Sequence, residues 1–346
     1  MKEGVTCGIV TKDRPLFLNR LLTVIAEMQP RCPLEVIVYD NSESCSAREV
    51  ATRFRSIRYL HGGGSLPHGR NEILERTDSS ILAFLDDDAL PTNREYFDMV
   101  CEDFSSMRGT VACVGGPVID VWPDLRPVLP LHGGKGFNRF RPRDQTLWQQ
   151  MHSSCWIPDS RCEVDFVNGG NMSFDTDLLT SIGGFDEAFG RGSGKTSLRE
   201  ETDAHLTLRA RGYRILYDPR LRVDHLTANY GGGRDRSILG RYLTRYYYGR
   251  NDLYLLKKHQ LLSLNSYTAW WKSVLLTYFR RDGLGHQAGL ARDEIADGEA
   301  DWVGARVLRP AVTALSLLLG QLAEAVRPST PVTPKGKKPW REDQPR

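Results

Sequence analysis

The chain has 346 residues, with 46 Lys and Arg against 43 Asp and Glu and a net charge of +3. That balance excludes a dedicated nucleic-acid binder, whose cations would be in clear excess. With 26% charged and 40% hydrophobic residues, the composition also excludes a wholly disordered chain, a collagen and a coiled coil, and leaves two globular domains or one large α/β domain with an appendage.

The N-terminus runs straight into the apolar stretch at 5–10 without a signal-peptide core, so no secretory leader is expected. Apolar runs at 5–11, 34–39, 57–60, 81–85 and 111–118 read as strands. Helical spacing appears between them at 14–28, 47–55, 67–76 and 93–107. Strands alternating with helices in this way indicate βαβ units and a mostly parallel sheet. Such strands are buried on both faces and so read as continuously apolar, and ligands sit beyond their carboxyl ends. The stretch 120–159 is irregular, and a loop of that length is usually functional. A strand at 162–167, a helix at 175–181, a helix at 198–211 and strands at 214–217 and 222–225 follow. Beyond 237 the pattern is helical, basic and aromatic, and the Pro- and Lys-rich tail from 327 has the composition of a disordered segment. The apolar stretch 311–326 is broken by Thr313, Ser316, Gln321 and Glu324, too short and too polar to span a bilayer. The seven cysteines show neither C-x-x-C nor zinc spacing, which fits reduced thiols in the cytoplasm.

Two segments imitate known motifs and fail. The run 190–196 would need Gly at 189 to form a phosphate loop, and Phe189 stands there. His61-Gly62-Gly63-Gly64 resembles an esterase oxyanion loop, but the chain has no G-x-S-x-G nucleophile elbow. The strongest local signal is the acidic run Asp86-Asp87-Asp88 at the end of the apolar strand 81–85. If the strand continues through it, Asp86 and Asp88 point to the same side. Hard carboxylate oxygens on one side suit Mg²⁺ or Mn²⁺, whereas the plainer alternative is a solvated turn capping the next helix.

The order of several motifs resembles the family 2 glycosyltransferases of GT-A fold, over about residues 5 to 260. Ile9-Val10-Thr11 with Arg14-Pro15 resembles their first strand and turn, and Asp40-Asn41-Ser42 their Asp-Asn-x-Ser. Gly69-Arg70-Asn71 resembles their Arg-Asn step, and Asp86-Asp87-Asp88 stands where they carry D-x-D. Gly169–Phe174 and Gly183–Glu187 resemble the acceptor-side segment. Arg199-Glu200-Glu201-Thr202-Asp203 resembles the stretch bearing the catalytic base, and Asp224-His225 falls where a late His completes the metal site.

The resemblance implies a Rossmann-like GT-A domain at 1–235, with a mostly parallel sheet flanked by helices, a helical C-terminal region at 236–326 and a tail at 327–346. It implies an inverting transfer from a UDP-, dTDP- or GDP-linked sugar to an acceptor hydroxyl, assisted by Mn²⁺ or Mg²⁺. Asp88 and His225 would ligate the ion, and Asp86 would contact ribose or sugar, with Asp87 able to exchange roles in so repetitive a run. Thr11, Asp40 and Arg70 would contact the nucleotide, Asp40 by accepting from a base N–H. Glu201 would be the general base, with Asp203 second, orienting the site or binding acceptor. Ser197 and Glu200 fit a capping box, and acids in a first helical turn also complement the helix dipole. A nucleotidyltransferase is the weaker alternative, because no glycine follows the first strand; a non-catalytic relic would have lost the acidic motifs. The basic aromatic stretch from Arg241 suits either a membrane surface or, the reading favoured slightly, a helical appendage with its aromatics packed on the core.

Overall fold

Runs of Val, Ile and Leu without a polar face are strands that need cover on both sides, and the fold supplies it. The computed structural model describes residues 2–54, 57–107, 109–121, 124–125, 160–190, 198–226, 238–264, 267–268, 271 and 309–326. The expected disorder of the tail 327–346, most of the irregular stretch 120–159, the segment 191–197 and the basic aromatic residues at 279–281 lie outside them.

The strands are β1 (Lys2–Thr11), β2 (Leu34–Asp40), β3 (Ile57–His61), β4 (Ser79–Leu85), β5 (Ala89–Pro91), β6 (Val111–Gly115), β7 (Val118–Val121), β8 (Cys162–Val164), β9 (Asn171–Asp175), β10 (Arg214–Tyr217) and β11 (Val223–Leu226). The helices are α1 (Pro15–Glu27), α2 (Arg48–Thr52), α3 (Leu66–Leu74), α4 (Tyr96–Ser106), α5 (Thr176–Ser181), α6 (Glu200–Ala210), α7 (Ile238–Lys258) and α8 (Arg309–Ala325). Eight strands form one sheet in the order β3-β2-β1-β4-β9-β6-β10-β8. β1 to β4 are mutually parallel, as the alternation predicts, and β10 runs parallel to β6. β9 is wedged antiparallel between β4 and β6. Its sequence, with Asn, Ser and Asp among few apolar residues, carries little strand signal of its own.

Alternate residues of the strands face opposite layers. Val5, Cys7, Ile9, Val36, Val38, Ala83 and Leu85 pack with α1, α2 and α4. Ile37, Tyr39, Leu82, Phe84, Met172, Phe174 and Ile215 pack with α3, α5 and α6. Full burial of each such Leu, Ile or Phe stabilises by roughly 1.5–3 kcal/mol. Gly8 lies on the α3 side, where Ile73 and Phe84 stand 2.9 and 3.1 Å from the position a Cβ would take, so β1 has to be bare there for α3 to dock.

The run 111–118, read as one strand, is two. Gly116 passes so close to the Leu221 carbonyl that no Cβ fits, and beyond it β7 leaves the large sheet for a small one, β5-β11-β7. The small sheet sets His225 of β11 opposite Ala89 of β5 and Asp120 of β7. That pairing carries a late histidine to the acidic turn. Among the described residues no helix is long and apolar enough to cross a membrane.

Candidate active site

The acidic run does not continue β4. The strand ends at Leu85, Asp86 N–H donates to the Gly170 carbonyl at 3.3 Å, and Ala89 N–H closes a turn onto the Asp86 carbonyl at 3.0 Å. The turn still brings Asp86 and Asp88 together. With His225 they form a cluster whose donor atoms all lie within 4.8 Å of one another. Asp87 points the other way, accepting from Thr11 Oγ1 at 2.7 Å and from Arg14 Nη1 at 3.0 Å. The turn therefore separates the three adjacent acids: the first and third converge on His225, and the second faces Thr11 and Arg14.

Arg14 also donates to Asp88 Oδ2 at 2.7 Å, so one guanidinium stitches the α1 entry to two of the three acids. Burial pushes Asp87 up to about 7, against the opposing charge of Arg14. Burial would raise Asp88 too, but the charges of His225 and Arg14 hold it down at about 2. Partial burial disfavours the charged form of His225, yet Asp88 and Asp120 raise it to about 10.

The donor set fits a divalent ion. Asp88 Oδ1 is fully buried and makes no hydrogen bond of good geometry, although His225 Nε2 stands 3.1 Å away. Asp120 Oδ1 binds His225 Nδ1 at 2.8 Å, as an outer carboxylate does when it orients an imidazole; a metal at Nε2 would displace the proton that Asp88 now faces. Two carboxylates and one imidazole suit a hard or borderline cation.

Arg70 is the hub beside this cluster. It is buried and donates to Glu200 Oε1 at 3.0 Å and to the Gly169 carbonyl at 2.9 Å, and its Nη2 lies 3.5 Å from Asp86 Oδ1. Phe84 and Phe185 stack on its guanidinium at 5.8 and 5.6 Å. Gly169 and Gly170 run between the acidic turn and α6: a Cβ on Gly169 would come 3.3 Å from Glu201 Cγ, and one on Gly170 would meet Asp86 Oδ2 at 3.0 Å. The bare backbone lets Asp86 and Glu201 flank one segment.

The three acids of α6 have distinct fates. Glu200 is buried on Arg70, and Ser197, its partner in the expected capping box, lies outside the described residues. Glu201 is half-buried, and its one described hydrogen bond is a long one from Thr202 Oγ1 at 3.5 Å. Asp203, expected as the second acid of the site, is buried and bound by Lys258 Nζ at 2.7 Å and His259 Nε2 at 2.8 Å.

α7 also fixes the start of α6. Arg199, in the left-handed region at φ 81° where a bulky residue is strained, donates to Asp252 at 2.7 Å. Asn251 Nδ2 donates to both the Phe189 and the Leu198 carbonyl, at 2.9 and 3.0 Å, tying together the two ends of the intervening segment.

At the nucleotide side, Asp40 is wholly buried. Its carboxylate accepts from Ser42 N–H (2.9 Å), Ala47 N–H (2.9 Å) and Tyr59 Oη (2.8 Å). These bonds shape the loop after β2, and Asn41 Nδ2 reaches the Gly64 carbonyl at 2.7 Å, so the bases of the β2 and β3 loops are joined. Thr11, expected on the nucleotide, holds Asp87. Sequence reasoning missed Asp120, Asn251 and Asp252, which carry no motif, and saw Arg14 only as part of a turn.

A family model described as glycosyltransferase-like family 2 matches residues 4–249. The chain is 24% identical over 232 residues to a glucosyl-dolichyl phosphate glucuronosyltransferase of Haloferax volcanii, a match covering 65% of this chain and 69% of that one. Among solved structures it resembles the mannosyltransferase PcManGT from Pyrobaculum calidifontis in complex with GDP-Man and Mn²⁺, with TM-score 0.51, 14% identity, and 94% and 88% of the two chains covered. It also resembles GalNAc-T7 with UDP, GalNAc and Mn²⁺, with TM-score 0.54, 14% identity, and 75% and 52% covered. At these identities the likeness concerns the fold, which is GT-A as expected.

Proposed function

Because the chain belongs to glycosyltransferase-like family 2, we propose that it moves a sugar from a nucleoside-diphosphate sugar to an acceptor hydroxyl by a single displacement with inversion. The observation that carries this reading is the cluster of Asp86, Asp88 and His225 at the carboxyl end of β4, with Glu201 on the other side of Gly169 and Gly170. A divalent ion there, Mn²⁺ or Mg²⁺, would neutralise the charge that develops on the leaving diphosphate.

The remaining roles belong to the chain. Asp88 and His225 would hold the ion, and Asp86 would complete the set or contact the sugar. Arg70 places a buried positive charge next to Asp86 and fixes the Gly169 carbonyl. Glu201 takes the proton of the acceptor hydroxyl, as the one acid of α6 with unused hydrogen-bonding capacity and partial exposure. Asp40 and Thr11 act by shaping the loops that receive the nucleotide, and Asp203 by anchoring α6 on α7.

The acceptor is a saccharide, a lipid-linked sugar or a natural product. The name of the Haloferax relative, which pairs a glucuronosyltransferase with glucosyl-dolichyl phosphate, supports the lipid-linked class, and such an acceptor fits a cytoplasmic enzyme working at a membrane face.

Calorimetry with UDP, dTDP, GDP and CDP tests the donor site, with Mn²⁺ and with chelator, on the parent protein and Asp88→Ala. The expected result is binding of one diphosphate that requires the ion and disappears in the variant. Absence of binding to all four, in protein that melts cooperatively, leaves the acids structural and turns the reading to a non-catalytic relic of the fold.

A further inference from the structure

α8 packs on α7 through bare backbone. Gly249 of α7 faces the Leu317 carbonyl and Gly320 of α8 faces the Tyr246 carbonyl, each too close for a Cβ. The polar residues of α8 turn the same way: Glu324 is buried, with Lys257 Nζ on its carbonyl at 3.0 Å, and Gln321 accepts from Tyr267 Oη at 3.0 Å.

The opposite face is apolar and exposed. Leu315, Leu319, Leu322 and Val326 are 53%, 49%, 53% and 82% exposed, and spacings of four, three and four residues keep them in one line. In the segment after α7, Leu262 and Leu264 are 46% and 78% exposed. Eight of the ten exposed large hydrophobics among the described residues fall within 243–326, a concentration beyond the single scattered residues normal for a surface.

The chemistry of the patch selects its occupant. The only acid in 309–326 is the buried Glu324, and the stretch is bounded by Arg309 and Arg327. The following 327–346 carries six Lys and Arg against two acids. The line has no Trp, Tyr or Arg anchor of the kind that dominates protein interfaces. A second copy could pair along the same spacing, but the line covers fewer than two heptads, and its flanking Ser316, Leu318, Ala323 and Ala325 offer no charges to set register. An apolar face with cationic ends suits the boundary between headgroups and acyl chains. The tyrosines of α7, by contrast, serve the domain: Tyr248 stacks under Arg199 and Arg245, and Tyr254 binds Asp186.

We propose that α8 lies in the plane of an anionic bilayer surface with Leu315, Leu319, Leu322 and Val326 inserted below the headgroups. The proposal is independent of the transfer reaction, so it stands or falls separately from the donor site. Flotation of the full chain with vesicles of phosphatidylcholine, alone or with phosphatidylglycerol added, tests it, alongside the double variant Leu319→Glu/Leu322→Glu. The parent floats with the anionic vesicles only, and the double variant loses roughly tenfold or more of the bound fraction at an unchanged thermal midpoint. Should the variant's midpoint fall, Leu315→Gln/Leu322→Gln repeats the comparison. Three results overturn the proposal: no flotation of the parent, equal flotation with neutral vesicles, or flotation undiminished by both variants. A dimer in sedimentation that the double variant dissolves, without vesicle binding, assigns the patch to a second copy instead.

Discussion

Asp40 and Asp88 are both buried carboxylates at the carboxyl ends of parallel strands, within 3% of full burial, yet their surroundings differ. Asp40 is saturated by neutral donors of its own loop. Asp88 keeps a buried oxygen without a well-aligned donor, facing an imidazole already oriented by another acid. Glu200 and Glu201 differ one residue apart: the first is buried against Arg70, the second is half-exposed and weakly bonded. Burial alone does not say what a carboxylate is for.

The largest expected effect sharpens the glutamate pair. Glu201→Gln should lower kcat for transfer by about 10³-fold, in the range of general-base losses, with diphosphate binding unchanged in calorimetry. Normal turnover in that variant would move the base elsewhere. Next, Asp88→Ala should weaken ion-dependent diphosphate binding by about 100-fold, whereas Asp120→Asn, which only reorients His225, should cost roughly tenfold. Equal losses would mean that Asp120 is itself a ligand.

At the saturated end, Asp40→Asn puts an NH₂ group against N–H or hydroxyl donors. It should cost about 2 kcal/mol in urea unfolding, with the ion-dependent affinity of the folded protein changed little. A selective loss of nucleotide affinity at full stability would restore Asp40 to a role in reading the base.

The smallest effect probes whether unused capacity always marks a site. His205 is fully buried, stacks on Phe174 at 5.3 Å and has no hydrogen-bond partner on either ring nitrogen. Burial, then the charge of Arg70, lowers its pKa from 6.5 to about 3. The unfolded chain therefore takes up a proton that the folded one refuses, so this contribution to stability is complete above about 6.5 and is lost as pH falls toward 3. His205→Phe should leave stability at neutral pH equal or higher by up to about 1 kcal/mol and flatten its fall over that window in thermal melts. An unchanged acid slope would place the titrating group elsewhere. His205 stacks on Phe174 and belongs to no cluster of three metal-ligating groups among the described residues, so its idle nitrogens mark a core residue.

Much of the domain was legible in the order of residues. The continuous apolar runs marked β1, β2, β4 and β6, because a strand covered on both faces cannot hide polar residues. Three adjacent acids after β4 marked the site, because nothing in a strand end calls for them. β9 escaped notice, since its strand character comes from its neighbours on both sides rather than from its own side chains. The aromatic run of α7 left a membrane contact and packing on the core both open, with packing slightly favoured; Tyr248 and Tyr254 do pack within the domain, and the exposed apolar line lies on α8.

By itself the sequence determined the layer architecture, the place of the acidic turn and the family, since all three follow from local periodicity and from residue types at short spacing. Only the tertiary structure decided which partner each acid meets. It turned Asp87 to Thr11 across 76 residues, brought Asp120 to His225 across 105 and gave Glu200 to Arg70 across 130. Whether a buried carboxylate is satisfied depends on donors that arrive from distant strands and helices, and no local pattern records their arrival.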